Sequence, residues 1–197
     1  MNKIKVIIEG YAKEIKGGWL ASSTATLIKS SDKLIISDPG CNRERLLRTL
    51  DAEKLKPEDI DFVFLTHGHV DHSLLAGIFT NARIVTFESL MYDKDLQIEF
   101  ENDILGSGTE IVKTPGHTAE HISLMVNTNK GKYAIAGDVF WWSEGEKEIV
   151  DINKEDDSHP KELNMDELKE SRRKLLELAD YIIPGHGKMF KVSKWEK

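Results

Sequence analysis

The sequence predicts an α/β fold that is richer in strands than in helices. Short β-rich runs recur in both halves of the chain, and two longer segments, Asn42–Glu53 and Met165–Ala179, place apolar residues at helical spacing. A length of 197 residues suits one domain, or two fused half-domains that share a core.

The first half of the chain is dominated by predicted strands. These are Ile4–Glu9, Thr24–Lys29, Lys33–Ser37, Asp61–Thr66 and Arg83–Thr86. Asp61–Thr66 is almost continuously apolar, which is typical of a buried strand. The predicted helix over Asn42–Glu53 carries its leucines on one face, and Ser73–Phe79 is predicted to form a second, short helix.

The second half repeats this pattern and adds the clearest helix. Its predicted strands are Glu110–Thr114, Ile122–Asn127, Tyr133–Ala136 and Tyr181–Pro184. In the helix over Met165–Ala179, Asn164 is placed to cap the first turn and Glu167 completes a capping box. The segment 144–157 carries seven acidic residues against two lysines, and we predict an exposed loop or lid there.

Composition favours a soluble cytoplasmic protein with a small-molecule substrate. The net charge of -7 argues against nucleic acid as a partner, because phosphate backbones are bound by clustered Lys and Arg. Cys41 is the single cysteine, so no internal disulfide can form. We see no signal peptide and no run of ~20 apolar residues that would enter a membrane. The oligomeric state stays open, and a homodimer is one option.

The segment His67–His72 (HGHVDH) has the spacing of a metal site. Residues two apart in an extended stretch point to the same side, so His67, His69 and Asp71 can converge, while His72 turns toward a second point. Imidazole and carboxylate together suit zinc and other first-row metals. A purely structural role would leave several polar groups to be satisfied in one place.

Further ligands must come from elsewhere, because one segment cannot complete two coordination shells. His117 lies in the turn TPGHT, Asp138 follows an apolar run in AGD, and His186 stands between two glycines. Alone, each has an ordinary interpretation, as a turn histidine, a capping aspartate or a loop histidine. All three lie beside predicted strand ends, where functional sites are usually built.

Taken in order, HxHxDH, TPGHT, GD and PGHG resemble the metallo-β-lactamase superfamily, particularly its glyoxalase II-like hydrolases. The motifs extend from Asp38 to His186, so the resemblance covers most of the chain. It implies a four-layer αβ/βα sandwich, in which two mixed β-sheets pack face to face between helices. It also implies that residues 1–197 form a single domain of this fold.

The resemblance implies two divalent metal ions as cofactors. The first ion would be held by His67, His69 and His117, the second by Asp71, His72 and His186, and Asp138 would bridge them. Zinc is the usual metal in similar proteins, and iron and manganese also occur.

Two such ions can activate water for hydrolysis. With two aspartates and one hydroxide, the site would carry a formal charge of about +1, which favours an anionic substrate. Asp71 is predicted to have a catalytic role in addition to ligation, orienting the hydroxide or moving its proton.

Other residues are predicted to support this site. Asp38 resembles the family's first motif, where the aspartate steadies the ligand loop, and His121 in TPGHTAEH is expected to lie behind the ligands. Phe140, Trp141 and Trp142 directly follow the GD motif and are predicted to line an apolar substrate pocket. Core packing is the alternative role for these three aromatic residues.

Four functions compete for this sequence. The complete ligand set favours a dinuclear hydrolase of a small ester, thioester or similar bond, but the helical extension that holds glutathione in glyoxalase II is not seen after His186. A mononuclear iron dioxygenase, resembling persulfide dioxygenases, would use only the first site. The acidic balance disfavours a small nuclease or phosphodiesterase, and the intact ligands disfavour a non-catalytic metal-binding module.

Overall fold

The computed structural model of the protein describes residues 1–87, 90–100, 104–156, 158, 161 and 163–193. Its strands are β1 (Lys3–Ile8), β2 (Tyr11–Ile15), β3 (Gly18–Ser22), β4 (Ala25–Ser30), β5 (Lys33–Ser37), β6 (Phe62–Phe64), β7 (Arg83–Val85), β8 (Leu90–Asp93), β9 (Leu96–Glu99), β10 (Thr109–Lys113), β11 (Ile122–Thr128), β12 (Gly131–Trp141), β13 (Tyr181–His186) and β14 (Phe190–Lys191). Its α-helices are α1 (Arg43–Ala52), α2 (Val70–Ser73) and α3 (Met165–Leu178). Among the described residues, no helix is both long and apolar enough to cross a membrane.

The strands form two mixed sheets and one separate hairpin. The first sheet has the order β1-β4-β5-β6-β7-β8-β9, with parallel pairing on both sides of β6. The second has the order β10-β11-β12-β13-β14, in which β12 and β13 are parallel. Strands β2 and β3 pair only with each other among the described strands. Parallel pairs place their carboxyl ends at one edge of a sheet, and this edge carries the polar loops.

The two sheets pack face to face, with helices on their outer faces. Strand β5 illustrates this packing, because its consecutive side chains point to opposite faces of the sheet. Ile35 packs into the central core with Ile122 and Leu124 of the second sheet, whereas Ile36 packs outward against Leu46 of α1. Helix α3 covers the outer face of the second sheet in the same way. The predicted four-layer α/β sandwich is therefore confirmed.

Helices α1 and α3 begin where their capping residues predict. The Asn42 side chain accepts a hydrogen bond from the backbone N–H of Arg45, and Asn164 accepts from Asp166 and Glu167. These bonds satisfy amide donors that the first turn of a helix leaves without partners.

Some local predictions differ from the structure. The short helix expected over Ser73–Phe79 is instead α2, which begins at Val70 inside the histidine segment, followed by a 3-10 turn at Ala76–Ile78. The strand expected to end at Ala136 continues to Trp141, with register shifts around Gly137. Asp138 therefore lies within a bulged strand and not in a loop after it.

Candidate metal centre

The histidine segment follows β6, a three-residue strand of the first sheet. Strand β6 is fully buried, and the chain then leaves the sheet through Thr66 and His67 before α2 starts at Val70. His69 is extended, with φ -60° and ψ 143°, and the helix that follows carries Asp71 and His72 on its first turn. The change from extended chain to helix is what separates the side chains of the segment into two directions.

Close glycine contacts place the remaining candidate ligands. Gly116 has φ +134°, and a Cβ there would stand 2.3 Å from the Leu168 backbone, so the turn that carries His117 lies directly against α3. Gly137 has φ +52°, and a Cβ there would stand 2.5 Å from Thr66 Oγ1. This close approach brings Asp138 beside the histidine segment.

The first group of candidate ligands consists of three histidines and one oxygen of Asp138. His69 Nδ1 lies 3.0 Å from His67 Nε2 and 3.1 Å from His117 Nε2. Asp138 Oδ2 lies 3.8 Å from His67 Nε2 and 3.4 Å from His117 Nε2. The four atoms belong to one cluster whose members all lie within 4.8 Å of one another.

The second group uses the other oxygen of Asp138. Asp138 Oδ1 lies 3.2 Å from His72 Nε2 and 3.6 Å from His186 Nε2. Asp71 Oδ2 lies 3.2 Å from the same nitrogen of His186 and 4.0 Å from His72 Nε2. The structure thus brings all seven predicted ligands together in two groups that meet at Asp138.

The outer nitrogens of four rings are held by acceptors of the protein. His67 Nδ1 lies 3.0 Å from Thr66 Oγ1, and His186 Nδ1 donates to the carbonyl of Tyr11 at 3.1 Å. His72 Nδ1 and His117 Nδ1 face carboxylates at 3.1 and 2.8 Å. Because Nδ1 of each of these rings faces an acceptor outside the cluster, Nε2 is turned to the centre, as in proteins whose histidines bind metals.

These residues fit a divalent metal ion. Ligands bonded at ~2.0–2.1 Å around a tetrahedral ion stand ~3.3–3.4 Å apart, which is close to the separations within both groups. His72 Nε2 and Asp138 Oδ1 are buried without a hydrogen-bond partner among the described residues, and both face the centre of the second group. A buried polar atom without a partner is costly, and a cation between these two atoms would satisfy both.

The electrostatics of the second group favour positive charge at its centre. Burial lowers the pKa of His186, but Asp138 and Asp71 raise it to about 9. Burial likewise opposes a proton on His72, yet Asp138 and Asp38 hold its pKa well above the usual range. The carboxylates therefore outweigh the cost of burying cationic groups in the second group.

Asp38 and His121 both lie behind the candidate ligands. Asp38 Oδ1 accepts the backbone N–H of Thr66 at 2.9 Å, and its Oδ2 accepts from Thr66 Oγ1 at 2.8 Å and from His72 Nδ1. His121 Nδ1 lies 3.0 Å from Thr114 Oγ1, and the His121 ring stacks on that of His67 with centroids 5.0 Å apart. Asp38 thus connects the start of the ligand segment to the second group of ligands.

A cavity of about 440 Å³ opens beside the two groups. Asp71, Asp138 and His186 line the cavity with polar groups, and Trp141 lines it beside His186, with ring centroids 6.4 Å apart. Phe140 and Trp142, which we expected at the pocket, do not line this cavity. They belong to the core beneath α3, because Phe140 at the end of β12 and Trp142 just after it point away from the side that carries Trp141.

A second aromatic residue, Trp19, lines this cavity and was not predicted. Trp19 of β3 meets Trp141 edge to face, with ring centroids 6.2 Å apart and an interplanar angle of 81°. The signal was present in the sequence, because Gly17-Gly18 between two strand-like runs is typical of a hairpin.

The acidic segment forms the expected loop and is largely exposed, but it contains one buried carboxylate that was not expected. Asp156 is only 3% exposed, and its Oδ2 lies 2.8 Å from His117 Nδ1. Burial opposes ionisation, yet hydrogen bonds from His117 and Ser158 lower the pKa of Asp156 to about 2. Asp157, the last residue of the segment, lies outside the described residues.

Comparisons with known proteins point to one superfamily. The metallo-beta-lactamase superfamily profile matches residues 18–88. Metallo-beta-lactamase domain-containing protein 1 of Xenopus laevis is 33% identical over 202 residues, covering 98% of this chain and 83% of the relative. Hydroxyacylglutathione hydrolase 1 of Vibrio vulnificus (strain YJ016) is 30% identical over 112 residues, covering 52% of this chain and 43% of that protein.

A solved structure shares the fold at lower identity. AidC, a dizinc quorum-quenching lactonase in complex with a product, superposes with a TM-score of 0.60 at 19% identity, covering 85% of this chain and 74% of that chain. The four-layer sandwich and the His/Asp cluster place this protein in the class of metal-dependent hydrolases. The 33% identity with the Xenopus laevis protein extends over 98% of this chain and shows that the protein belongs to the metallo-β-lactamase superfamily.

Proposed function

We propose that the protein is a dinuclear, zinc-dependent hydrolase of a small ester or thioester bond. The observation that carries this proposal is the placement of Asp138. Its Oδ2 lies 3.4 Å from His117 Nε2 in the first group, and its Oδ1 lies 3.2 Å from His72 Nε2 in the second. A carboxylate with one oxygen in each group is suited to join two ions ~3.5–4 Å apart.

The ligand chemistry supports zinc. The first ion would be held by His67, His69 and His117, the second by Asp71, His72 and His186, and Asp138 would be shared. Sets of imidazole and carboxylate ligands suit zinc, and the dizinc lactonase of the same fold supports that choice. When bound, two such ions lower the pKa of water and polarise the bond to be cleaved.

Asp71 has the position expected of a residue that handles the proton of the attacking water. Its side chain is 26% exposed and lines the cavity, so one carboxylate reaches both His186 and the substrate side. We assign Asp71 to orienting the water and accepting its proton, in addition to ligation.

The walls of the cavity support a substrate with an apolar group beside the scissile bond. Trp19 and Trp141 form an aromatic corner, and Ala12, Ala21 and Val70 add small apolar surfaces. The similar proteins include a hydrolase of hydroxyacylglutathione and a lactonase, which supports an acyl bond as the one attacked. The net charge of -7 is poorly suited to a nucleic-acid substrate.

Metal analysis paired with a substrate panel tests this proposal. Protein purified without added metal is analysed for zinc, iron and manganese, and is then assayed on a thioester, a lactone, a phosphodiester and a β-lactam. We expect about two zinc ions per chain, and turnover of the thioester or lactone that a chelator abolishes and zinc restores. One iron per chain with oxygen-dependent turnover would instead identify a dioxygenase, and turnover of the phosphodiester alone would identify a nuclease.

A further inference from the structure

Asp156 comes from outside every motif of the sequence and contacts a candidate ligand. Its Oδ2 lies 2.8 Å from His117 Nδ1, and its Oδ1 accepts from the backbone N–H and the hydroxyl of Ser158, at 3.1 and 2.6 Å. A carboxylate only accepts hydrogen bonds, so His117 Nδ1 carries the proton. His117 Nε2 is then left with its lone pair directed at His69 and Asp138.

Arg172 fastens the segment that delivers Asp156. This arginine of α3 is 2% exposed, and its Nε donates to the carbonyl of Val139 at 3.0 Å. Its Nη1 donates to the carbonyls of Ile152 and Lys154, at 2.9 and 2.5 Å. The rigid, planar guanidinium therefore fixes β12 and the acidic segment relative to each other, two residues before Asp156.

A second attachment reinforces the first. Lys154 Nζ donates to the carbonyl of Trp141 at 2.8 Å and lies 4.6 Å from the centroid of the Trp141 ring. The next residue of the chain, Trp142, donates its Nε1–H to the carbonyl of Ile149 at 3.2 Å. The acidic segment thus runs along the end of β12 on several bonds, and its buried carboxylate reaches His117 in a defined position.

The same arrangement exists once in each ligand group. Asp38 faces Nδ1 of His72 in the second group at 3.1 Å, and Asp156 faces Nδ1 of His117 in the first. A carboxylate behind a ligand histidine fixes its tautomer and ring orientation, and its loss typically costs 10–100-fold in metal affinity.

We propose that Asp156 is the positioning residue of the first metal group, held in place by Arg172, as Asp38 is for the second. This inference rests on the proposed dinuclear site. It assigns to the acidic segment a role in selective metal binding that its composition does not reveal. Removal of the Asp156 charge should weaken binding of the first ion and leave the affinity for the second ion unchanged.

The test measures zinc affinity in backgrounds that each retain one group. His186→Ala disables the second group and His69→Ala disables the first, and Asp156→Asn is added to each. Zinc is titrated against a competing chromophoric chelator, and folding is checked by circular dichroism. We expect Asp156→Asn to weaken zinc about 10–100-fold with His186→Ala and less than about 2-fold with His69→Ala.

Controls and a spectroscopic measurement separate positioning from general disturbance. Glu155→Gln removes the same charge from the exposed neighbouring residue and should leave both affinities unchanged. Asp38→Asn should give the opposite selectivity. With cobalt in place of zinc, Asp156→Asn should change the visible absorption in the His186→Ala background, because the ligand field of that group changes.

Two results would overturn the inference. One is an equal effect of Asp156→Asn in both backgrounds, and the other is wild-type affinity in the His186→Ala background. These measurements need no substrate, so selective zinc binding without turnover on the panel would reject the hydrolase and leave the role of Asp156 standing. Wild-type protein that binds no zinc would reject both.

Discussion

Gly185 lies so close to Asp138 that a Cβ on the glycine would stand 1.8 Å from the carboxylate Oδ1. Gly185 is part of β13, and its carbonyl also accepts hydrogen bonds from the backbone N–H and hydroxyl of Thr24, at 2.8 and 2.9 Å. Asp138 lies in β12, and neither β12 nor β13 can move away without breaking these bonds or the pairing of the two strands. The absence of a side chain at position 185 therefore sets the position of the shared carboxylate.

Gly185→Ala is accordingly expected to displace Asp138 and weaken binding of both ions. We expect zinc affinity to fall by more than about 100-fold, since a shared ligand moves and not only its support. The overpacking should also lower the free energy of unfolding by ~1–3 kcal/mol. Chelator competition and urea denaturation measure the two effects.

Gly77→Ala is the matched control, because a Cβ at Gly77 meets no atom within 4 Å and its φ is not in the left-handed region. This variant should bind zinc as the wild type does. If Gly185→Ala also retained full affinity for both ions, the assignment of Asp138 as the shared ligand would be wrong.

Asp71→Asn separates ligation from proton handling. At saturating zinc we expect the variant to bind both ions but to lose about 10²–10⁴-fold in kcat, because the amide cannot accept a proton. Zinc content is measured on the same samples as turnover. Asp32→Asn, at an exposed turn between β4 and β5, controls for loss of an acidic charge and should keep full activity.

One outcome for Asp71→Asn would contradict a role in proton handling. A variant that retained both zinc ions and wild-type kcat would show that Asp71 is a ligand alone.

Much of the fold and four of the seven candidate ligands could be predicted from local signals, whereas His117, Asp138 and His186 were expected only from the order of the motifs and the resemblance they carry. The spacing of His67, His69, Asp71 and His72 is contained in six residues, and the two long helices have their caps and apolar faces in sequence. The boundaries of β12 were harder to predict from the sequence. The strand continues past Ala136 through a bulge at Gly137, and a Gly-Asp pair predicts the end of a strand more readily than its continuation.

Contacts between distant parts of the chain could not be predicted. Asp156 and His117 are separated by 39 residues, and six other acidic residues in the same segment have no feature in sequence that distinguishes them from Asp156. The burial of Asp156 depends on Arg172, whose position in an amphipathic helix suggests an exposed charge. Buried arginines are rare, and only the three-dimensional structure shows the backbone carbonyls that satisfy this one.

The hairpin formed by β2 and β3 is expected to select substrates through Trp19. This indole is 47% exposed and forms the outer part of the aromatic corner at the cavity. Trp19→Ala should lower kcat/KM about 10-fold for a substrate with a long apolar acyl group, through lost apolar contact, and less than about 2-fold for the acetyl analogue.

Leu20→Ala provides the matched comparison. Leu20 is the next residue of β3, is 52% exposed and does not line the cavity, because adjacent residues of a strand point to opposite faces. It should leave both kcat/KM values unchanged. Equal losses in the two variants, or equal losses on the long and short substrates, would remove Trp19 from substrate selection.

Arg172→Met is expected to destabilise the fold and loosen the acidic segment together. The variant removes the donors to three backbone carbonyls, and unsatisfied buried acceptors cost ~1–3 kcal/mol each, less where water reaches them. We expect a loss of about 2 kcal/mol in the free energy of unfolding, which lowers Tm by ~4–8 °C in a chain of this size. Hydrogen exchange should increase at the amides of the acidic segment before it increases in β12.

The adjacent arginine makes this prediction specific. Arg173 is exposed and pairs with Glu170 on the surface of α3, so Arg173→Met should change the free energy of unfolding by less than about 0.5 kcal/mol. Since Arg172 acts through the position of Asp156, its replacement should also weaken zinc in the His186→Ala background. A loss of stability without that change in affinity would mean that Asp156 reaches His117 without help from Arg172.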